Sequence, residues 1–185
     1  MISYAITDPS TLSFESLDND LKCISKKADM IVYRDKTNDA YETFAAQFLT
    51  QAKNYSFDKI LLHGTVGLAS KLGVDGVHLR SNQFDEIAKA KRHNLFVVIS
   101  CHTVDEAKKA EALGADMITY SPIFTTPNKG KPLGLGALKE LQGIIYLPII
   151  ALGGILTQEQ IDDCQAAGAS GFASIRFLTK GIFDV

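Results

Sequence analysis

The chain has 185 residues, of which 46% are hydrophobic and 22% charged, and its formal net charge is −2. These values predict one globular domain over residues 1–185 with a sizeable core. The near-neutral charge and the lack of basic runs argue against nucleic acid as the main partner. No apolar run approaches the ~20 residues needed to cross a bilayer, which argues against a membrane protein.

Three cysteines, Cys23, Cys101 and Cys164, are far apart, odd in number and without a spacing typical of metal sites. We therefore expect reduced, buried thiols in a cytoplasmic protein. The first predicted strand starts at the first residues of the sequence, so no signal peptide is expected there.

Apolar segments alternate with amphipathic ones along the chain. The predicted strands are 2–7, 30–33, 59–62, 74–79, 95–99, 117–120, 147–152 and 171–175. The predicted helices are 14–26, 41–52, 66–72, 84–93, 105–113, 135–141 and 158–167, and residues 179–185 suffice only for a stub. Thr157 is the expected N-cap of the helix 158–167. Glycines at 73, 114 and 168 each close a helix just before a strand, as loops from helix to strand prefer.

These segments form eight strand–helix units in strict alternation, the last with a truncated helix. The strands are solidly apolar, which indicates a parallel sheet that is covered on both faces. The alternation favours the α/β class and a closed (β/α)8 TIM barrel. The barrel would be compact, because the chain is shorter than the ~250 residues typical of this fold. An open doubly wound sheet is the alternative.

The stretch 115–136, ADMITYSPIFTTPNKGKPLGLG, contains a short strand that runs into a loop rich in proline and glycine. The loop carries the hydroxyls of Thr125 and Thr126 and the amines of Lys129 and Lys131. It therefore places flexible cations and hydroxyl donors at one edge of the sheet. This is where α/β proteins hold anionic ligands.

Further polar residues follow the other predicted strands, at the face where such barrels have their active sites. The cations are Arg34, Lys36, Arg80, Lys129, Lys131 and Arg176, opposed mainly by Asp35. The other candidates are His63, Ser100, His102, Thr126, Gly153, Gly154 and Ser174. Cations gathered at one rim of an acidic protein predict an anionic ligand, in particular phosphate. The glycine pair would let backbone N–H groups approach it, between the loops after strands seven and eight.

Each of these signals also has a simpler interpretation. The glycine pair is by itself a turn, and the first two cations could be an ordinary solvated rim in which Asp35 pairs with one of them. Cys101 and His102 suggest a nucleophile and a base, but adjacent strand residues face opposite ways. Cys101 is therefore expected behind the barrel wall. His63 is a structural or a catalytic histidine.

Motifs over nearly the whole chain resemble the thiamine phosphate synthase/TenI superfamily. They are YAITD at 4–8, YRDK at 33–36, LGVDGVHL at 72–79, VVISCHT at 97–103, EALGADMITYSPIFTTPNK at 111–129, LG at 133–134, PIIALGGI at 148–155 and AAGASGFASI at 166–175. The run through SPIF and its following threonine and lysine, then ALGGI, is specific to this family, whereas single pieces such as GGI are not. The resemblance implies a (β/α)8 barrel that binds a thiazole phosphate.

The resemblance also implies a reaction and roles for residues. In the synthase, a hydroxymethylpyrimidine pyrophosphate loses pyrophosphate, and the thiazole nitrogen captures the pyrimidine carbocation with magnesium assisting. By motif position, the pyrophosphate would be held by Arg34, Lys36, Ser100 and Lys129. The thiazole phosphate would lie against Thr126, Gly153, Gly154, Ser174 and Ile175.

Both magnesium-binding aspartates of the synthase are absent from this chain. The synthase has Asn-Asp-Arg after strand three, where this chain has HGT at 63–65. The synthase has Gly-Gln-x-Asp after strand four, where this chain has RSNQ at 80–83. Asn82 and Gln83 are poor substitutes for hard charged ligands, so we expect no metal cofactor and doubt a role for Mg²⁺. Arg80 could supply part of the missing charge.

Two further positions depart from the family patterns. Val32 replaces a glutamine of the synthase, and Pro122 replaces the histidine that the metal-independent TenI-type thiazole tautomerase uses. The chain thus satisfies neither subfamily's full pattern. A tautomerase-type reaction would need another base, for which His63 is the candidate, with a pKa lowered by cationic neighbours. His102 is the reserve.

The leading hypothesis is a thiamine-biosynthesis barrel that works as a diverged enzyme on thiazole phosphate or thiamine phosphate. The catalytic candidates are His63, Lys129 and Ser100. The reaction is either the synthase coupling, a transferase step, or a TenI-like tautomerisation, an isomerase step. The alternative is a non-catalytic or regulatory protein that binds a small phosphate ligand: thiazole phosphate, pyrophosphate or thiamine phosphate. A phosphosugar or indole-type isomerase is a third option, against which the SPIF loop argues. The sequence leaves a homo-oligomer open.

Overall fold

The computed structural model describes residues 1–179 of the chain. The strands are β1 (Ile2–Ile6), β2 (Met30–Tyr33), β3 (Lys59–His63), β4 (Gly76–Leu79), β5 (Phe96–Cys101), β6 (Met117–Tyr120), β7 (Ile149–Leu152) and β8 (Gly171–Ser174). The helices are α1 (Leu17–Ser25), α2 (Tyr41–Ala52), α3 (Val66–Leu72), α4 (Glu86–Arg92), α5 (Val104–Ala112), α6 (Gly134–Gln142), α7 (Gln158–Ala166) and α8 (Arg176–Thr179).

The strands pair in sequence order, all parallel, and β1 pairs with β8 to close a barrel. Tyr4 of β1, for example, lies opposite Met30 of β2 on one side and Ala173 of β8 on the other. The predicted (β/α)8 TIM barrel is therefore confirmed, and the open doubly wound alternative is wrong. The last described helix has 4 residues, which agrees with the expected truncation. Residues 180–185 of the predicted stub lie outside the described residues.

Two groups of buried side chains hold the barrel together, because successive strand residues face opposite sides of the sheet. The interior group consists of Tyr4, Ile6, Met30, Val32, Leu61, Val98, Met117, Ile150 and Ala173. The larger group fills the layer between the strands and the surrounding helices, and it includes Val77 and Leu79 of β4. The apolar strands are thus covered on both faces, as predicted.

The predicted helix ends have the expected local chemistry. The Thr157 hydroxyl accepts a hydrogen bond from the Gln160 N–H at 3.2 Å, and Gln160 Oε1 accepts one from the Thr157 N–H, also at 3.2 Å. The three glycines that end a helix just before a strand, at positions 73, 114 and 168, have positive φ angles of 66°, 85° and 95°. These angles strain residues that carry a Cβ, so glycine is the residue that can turn the chain there.

Several element boundaries differ from the prediction. β3 includes His63, and β5 includes Ser100 and Cys101, because these residues pair with the neighbouring strand. β4 and β7 begin later than predicted, at residues 76 and 149. α1 begins at residue 17 rather than 14, so the predicted apolar stripe starts before the helix does.

Cys101 and Cys164 are buried, but Cys23 is exposed, so the expectation of three buried thiols is wrong for Cys23. The reason is its place on α1, whose buried residues are Leu17, Leu21 and Ile24. Over residues 1–179, the helices are too short or too polar to cross a bilayer.

Candidate functional site

A cavity of about 510 Å³ opens at the carboxyl ends of the strands. The structure brings twelve of the predicted site residues to its wall, although these residues come from the ends of seven different strands. They are Arg34, Lys36, His63, Arg80, Ser100, His102, Thr126, Lys129, Gly153, Gly154, Ser174 and Ile175. The closed barrel explains this gathering, because it turns all carboxyl ends of the strands toward one opening.

The cavity wall is strongly cationic, with Arg34, Lys36, Arg80, Lys129 and Arg176. Among the described residues that line it, there is no carboxylate. Asp35 Oδ1 accepts hydrogen bonds from the backbone N–H and the hydroxyl of Thr37, each at 2.9 Å, and so caps its own turn. Lys131, also predicted at this rim, lies outside the lining. An anion would therefore meet little competition for these cations.

Cations on different loops are close enough to influence one another. The pKa of Lys36 is lowered, first by Arg34, then by burial, and further by Lys129 and Arg80. Like charges lower an ammonium pKa in this way because they disfavour its protonated form. The loops after β2, β4 and β6 thus create one positive region rather than separate surface charges.

His63 lies at the end of β3 within this positive region. Burial lowers its pKa most, followed by Arg34, Lys36 and Arg80, to about 4. The direction agrees with the expectation from cationic neighbours, but burial is the larger cause. The ring is therefore neutral near pH 7, and it is a weak base, since general bases work best with a pKa near the operating pH.

His78 also lines the cavity, although it was not among the predicted site residues. Its Nδ1 lies 3.0 Å from the Tyr4 hydroxyl, and its Nε2 lies 3.0 Å from Ser100 Oγ. Burial, then His63 and Arg34, lower its pKa to about 3, so the ring is neutral. The alternation of β4 was the missed signal, because a residue between two outward-facing apolar residues must face the barrel interior.

This chain of polar groups can orient the Ser100 hydroxyl. When Tyr4 donates to Nδ1 of His78, the ring proton is on Nε2 and is donated to Ser100 Oγ. The hydroxyl proton of Ser100 then points away from the ring and is available to an acceptor in the cavity. An oxygen of a bound anion is such an acceptor.

His102 and Cys101 lie side by side in sequence but face different ways. His102 Nδ1 lies 2.8 Å from the carbonyl oxygen of Ser121, which can only accept, so Nδ1 carries the ring proton. Cys101 packs in the outer core, and burial raises the pKa of its thiol to about 12. As expected, these two residues do not form a nucleophile–base pair.

Gly153 and Gly154 allow the loop after β6 to pack against the end of β7. Their φ angles are 98° and 72°. A Cβ on Gly153 would lie 2.8 Å from Pro122 Cα, and a Cβ on Gly154 would lie 2.6 Å from the Thr125 carbonyl oxygen. The backbone of one loop thus fills the space that side chains at these positions would need. The close approach of the two loops therefore requires glycine at both positions. The two glycines also line the cavity.

Ser174 ends β8 beneath this loop contact. Its hydroxyl donates to the Ile155 carbonyl at 3.2 Å and accepts from the Phe177 N–H at 3.1 Å. It therefore ties the loop after β7 to the beginning of α8. Ile175 and Arg176 follow directly and lie on the cavity wall.

The residues at the family's aspartate positions do not fit a magnesium ion. Position 64 has no side chain, and Gln83 presents an amide. Gln83 Oε1 accepts from the backbone N–H of Arg80 at 3.1 Å and from its Nε–H at 3.0 Å, and Gln83 Nε2 donates to the Gly64 carbonyl at 3.0 Å. Over residues 1–179, no three His, Cys, Asp or Glu side chains are grouped to hold a metal. Mg²⁺ prefers carboxylate oxygens, which this donor set lacks.

Residues 3–178 match the thiamine monophosphate synthase family. A protein named "Putative thiamine-phosphate synthase 2" from Aquifex aeolicus is 35% identical over 181 residues, which cover 96% of this chain and 97% of that protein. The thiamine-phosphate synthase of Methanoculleus marisnigri is 33% identical, over 93% of this chain and 84% of that protein. Among solved structures, thiamine phosphate pyrophosphorylase from Pyrococcus furiosus has a TM-score of 0.81 and 23% identity, over 94% of this chain and 85% of that one.

The fold and the cavity define a (β/α)8-barrel protein with a cationic ligand site at the carboxyl ends of its strands. The likeness to the Pyrococcus furiosus structure supports the same fold. The sequence matches go further, because they extend over almost the whole chain. The chain belongs to the thiamine monophosphate synthase family.

Proposed function

We propose that this protein catalyses the synthase reaction of its family, which joins hydroxymethylpyrimidine pyrophosphate to thiazole phosphate and forms thiamine phosphate. The bond between the pyrimidine methylene carbon and the pyrophosphate oxygen breaks, and pyrophosphate leaves with the electron pair. The lone pair of the thiazole nitrogen then forms the new C–N bond. The observation that carries the proposal is one cavity with five cations, which follow β2, β4, β6 and β8, and no carboxylate among its described lining residues.

The pyrophosphate would lie between the loops after β2, β5 and β6. Arg34 and Lys36 are electrostatically coupled there, and Lys129 acts on the same lysine from across the cavity. Ser100 can add a hydroxyl donor, oriented by His78. Charge-assisted hydrogen bonds to a leaving anion stabilise the transition state more than the ground state, because the negative charge grows as the bond breaks.

The thiazole phosphate would lie at the side formed by the loops after β6, β7 and β8. Thr126 Oγ1 lies 3.2 Å from the position that a Cβ on Gly153 would take, so these two residues share one end of the cavity. Ser174 and Ile175 lie on the same wall. Backbone and hydroxyl donors at the loops after strands seven and eight are a recurring phosphate site of this fold.

Two features favour the coupling over the tautomerisation. Capture of the carbocation by the thiazole nitrogen needs no general base, whereas tautomerisation moves a proton. Pro122 lines the cavity where the tautomerase has its histidine, and a pKa of about 4 leaves His63 a weak base. The chemistry available to the described residues therefore suits the transferase step better.

Formation of thiamine phosphate from the two substrates tests the proposal. We expect turnover by the wild-type protein and a loss of roughly tenfold or more in kcat/KM for Lys129→Ala, because a charged hydrogen bond to the leaving group is lost. Lys131→Ala is the matched control, since Lys131 is in the same loop but outside the lining. Binding of thiazole phosphate without turnover would favour the non-catalytic alternative, and no binding of either substrate would refute the proposal.

A further inference from the structure

The loops after β3 and β4 are tied together at the cavity edge by one side chain. The amide of Gln83 bonds the Gly64 carbonyl with its nitrogen and both the backbone and Nε of Arg80 with its oxygen. Arg80 is an exposed residue, but Gln83 holds its Nε–H and thereby links it to both barrel loops. Arg80 also lines the cavity.

The position of this guanidinium coincides with the place where two side chains would converge. A Cβ on Gly64 would lie 3.5 Å from Gln83 Oε1 and 3.7 Å from Arg80 Nε. Carboxylates at positions 64 and 83, where the resemblance places the synthase aspartates, would therefore face the same small space. In this chain a permanent cation lies there, held by an amide.

The Arg80 guanidinium, although bonded to Gln83, still has N–H groups that can donate to a ligand. Gln83 engages its Nε–H, while the two Nη atoms carry four further N–H groups in a planar fork. Such a fork matches two oxygens of a phosphate group. Arg80 also acts electrostatically on Lys36 and His63, which places its charge in the same positive region as the other cations.

We infer that Arg80, positioned by Gln83, binds the pyrophosphate group as a built-in counter-charge, so that this protein binds pyrophosphate without a divalent metal. The inference rests on the proposed function for the identity of the ligand. It goes further in naming which side chain supplies the charge and which one positions it.

Calorimetric titration with inorganic pyrophosphate, once in EDTA and once in excess Mg²⁺, tests the inference. We expect the wild-type protein to bind pyrophosphate in EDTA, with no tightening when Mg²⁺ is added. We expect Arg80→Gln to lower the affinity about ten- to hundredfold, the effect of losing one charge-assisted pair. Arg92→Gln, an exposed change on α4 away from the cavity, is the matched control and should bind like wild type.

The positioning role of Gln83 has its own pair of variants. Gln83→Leu removes the acceptor of Arg80 and should weaken pyrophosphate binding severalfold. Gln83→Asn keeps a neutral amide, one methylene shorter, and should weaken it less. A residue that only supported the fold would lower the unfolding midpoint in urea without this difference in affinity. Urea midpoints for both variants accompany the titrations.

Binding that requires Mg²⁺, or full affinity in Arg80→Gln, would overturn the inference. Absence of pyrophosphate binding in every condition would overturn it as well. Thiazole phosphate is titrated in parallel: if it binds and thiamine phosphate is formed while the pyrophosphate result fails, the proposed function stands and the role of Arg80 does not. If neither ligand binds, both fail.

Discussion

His78 is a polar side chain in a barrel interior that is otherwise mostly apolar. Both ring nitrogens have a partner within 3.0 Å, the hydroxyl of Tyr4 at one end and that of Ser100 at the other. A buried polar atom without a partner costs about 1–3 kcal/mol, so each member of this chain depends on the next. The network thus links a fully buried tyrosine to a hydroxyl at the cavity.

Tyr4→Phe is expected to lower the free energy of unfolding by about 1–2 kcal/mol, because Nδ1 of the buried His78 loses its partner. The measurement is urea denaturation followed by circular dichroism. Tyr55→Phe is the control: its hydroxyl bonds Asp18 at the surface, where water can replace it, and its effect should be clearly smaller. Equal losses in the two variants would contradict a structural role for the buried pair.

The loop between β6 and α6 is the element on which the geometry of the cavity depends most. It carries Pro122, Thr126 and Lys129 to the wall, and it bonds back to the end of β7. The Ile123 and Phe124 N–H groups donate to the carbonyls of residues 152 and 153, each at 2.9 Å. The loop is therefore held by backbone contacts that tolerate only glycine opposite them.

Gly154→Ala is expected to destabilise the protein by about 1–3 kcal/mol and to weaken thiazole phosphate binding. Its φ of 72° strains an alanine, and the new Cβ would meet the Thr125 carbonyl oxygen at 2.6 Å. Gly67→Ala is the matched control in α3, where a Cβ meets nothing within 4 Å. That change should stabilise the protein by up to about 1 kcal/mol. The measurements are the urea midpoints of both variants and titration with thiazole phosphate. If Gly154→Ala keeps the stability and affinity of the wild type, the loop can move aside to make room for the new Cβ.

The order of the elements could be predicted from the sequence, and so could the gathering of the candidate residues at one end of the barrel. The alternation of strands and helices and the glycines at the helix ends were enough to predict the barrel fold. The closed barrel in turn brings distant residues such as Arg34 and Ser174 to one wall. The ends of β3 and β5 could not be predicted, because partners on neighbouring strands extend them. The contact of Gln83 with Gly64 joins two loops whose relative position exists only in the closed barrel.

At the scale of the whole molecule, the buried His78 and the half-buried His63, both neutral, make the stability depend on pH. The pKa values of His63 and His78 are about 4 and about 3 in the folded protein, below the ordinary value of 6.5. As the pH falls below about 6.5, the unfolded chain binds protons at these rings before the folded chain does. The contribution of the two rings to the free energy of unfolding is therefore complete above about pH 7. It is lost as the pH falls toward the pKa values that they have in the folded protein.

We expect the free energy of unfolding to fall between pH 7.5 and 5.0, with each ring contributing about 1.4 kcal/mol per pH unit at most. In His78→Gln this loss should be smaller by about 2 kcal/mol, because glutamine does not titrate. His93→Gln replaces an exposed histidine and should follow the wild-type curve. Parallel curves for wild type and His78→Gln would contradict a depressed pKa for His78.

If Arg80 binds pyrophosphate as inferred, its attachment to the chain would affect the last step of the proposed reaction. A divalent ion can leave together with the pyrophosphate that it neutralises, whereas an arginine remains attached to the chain. With such a counter-charge, product departure rather than C–N bond formation would limit turnover, as it does in many enzymes. Hydrolysis of the released pyrophosphate would then prevent it from binding again to the empty site.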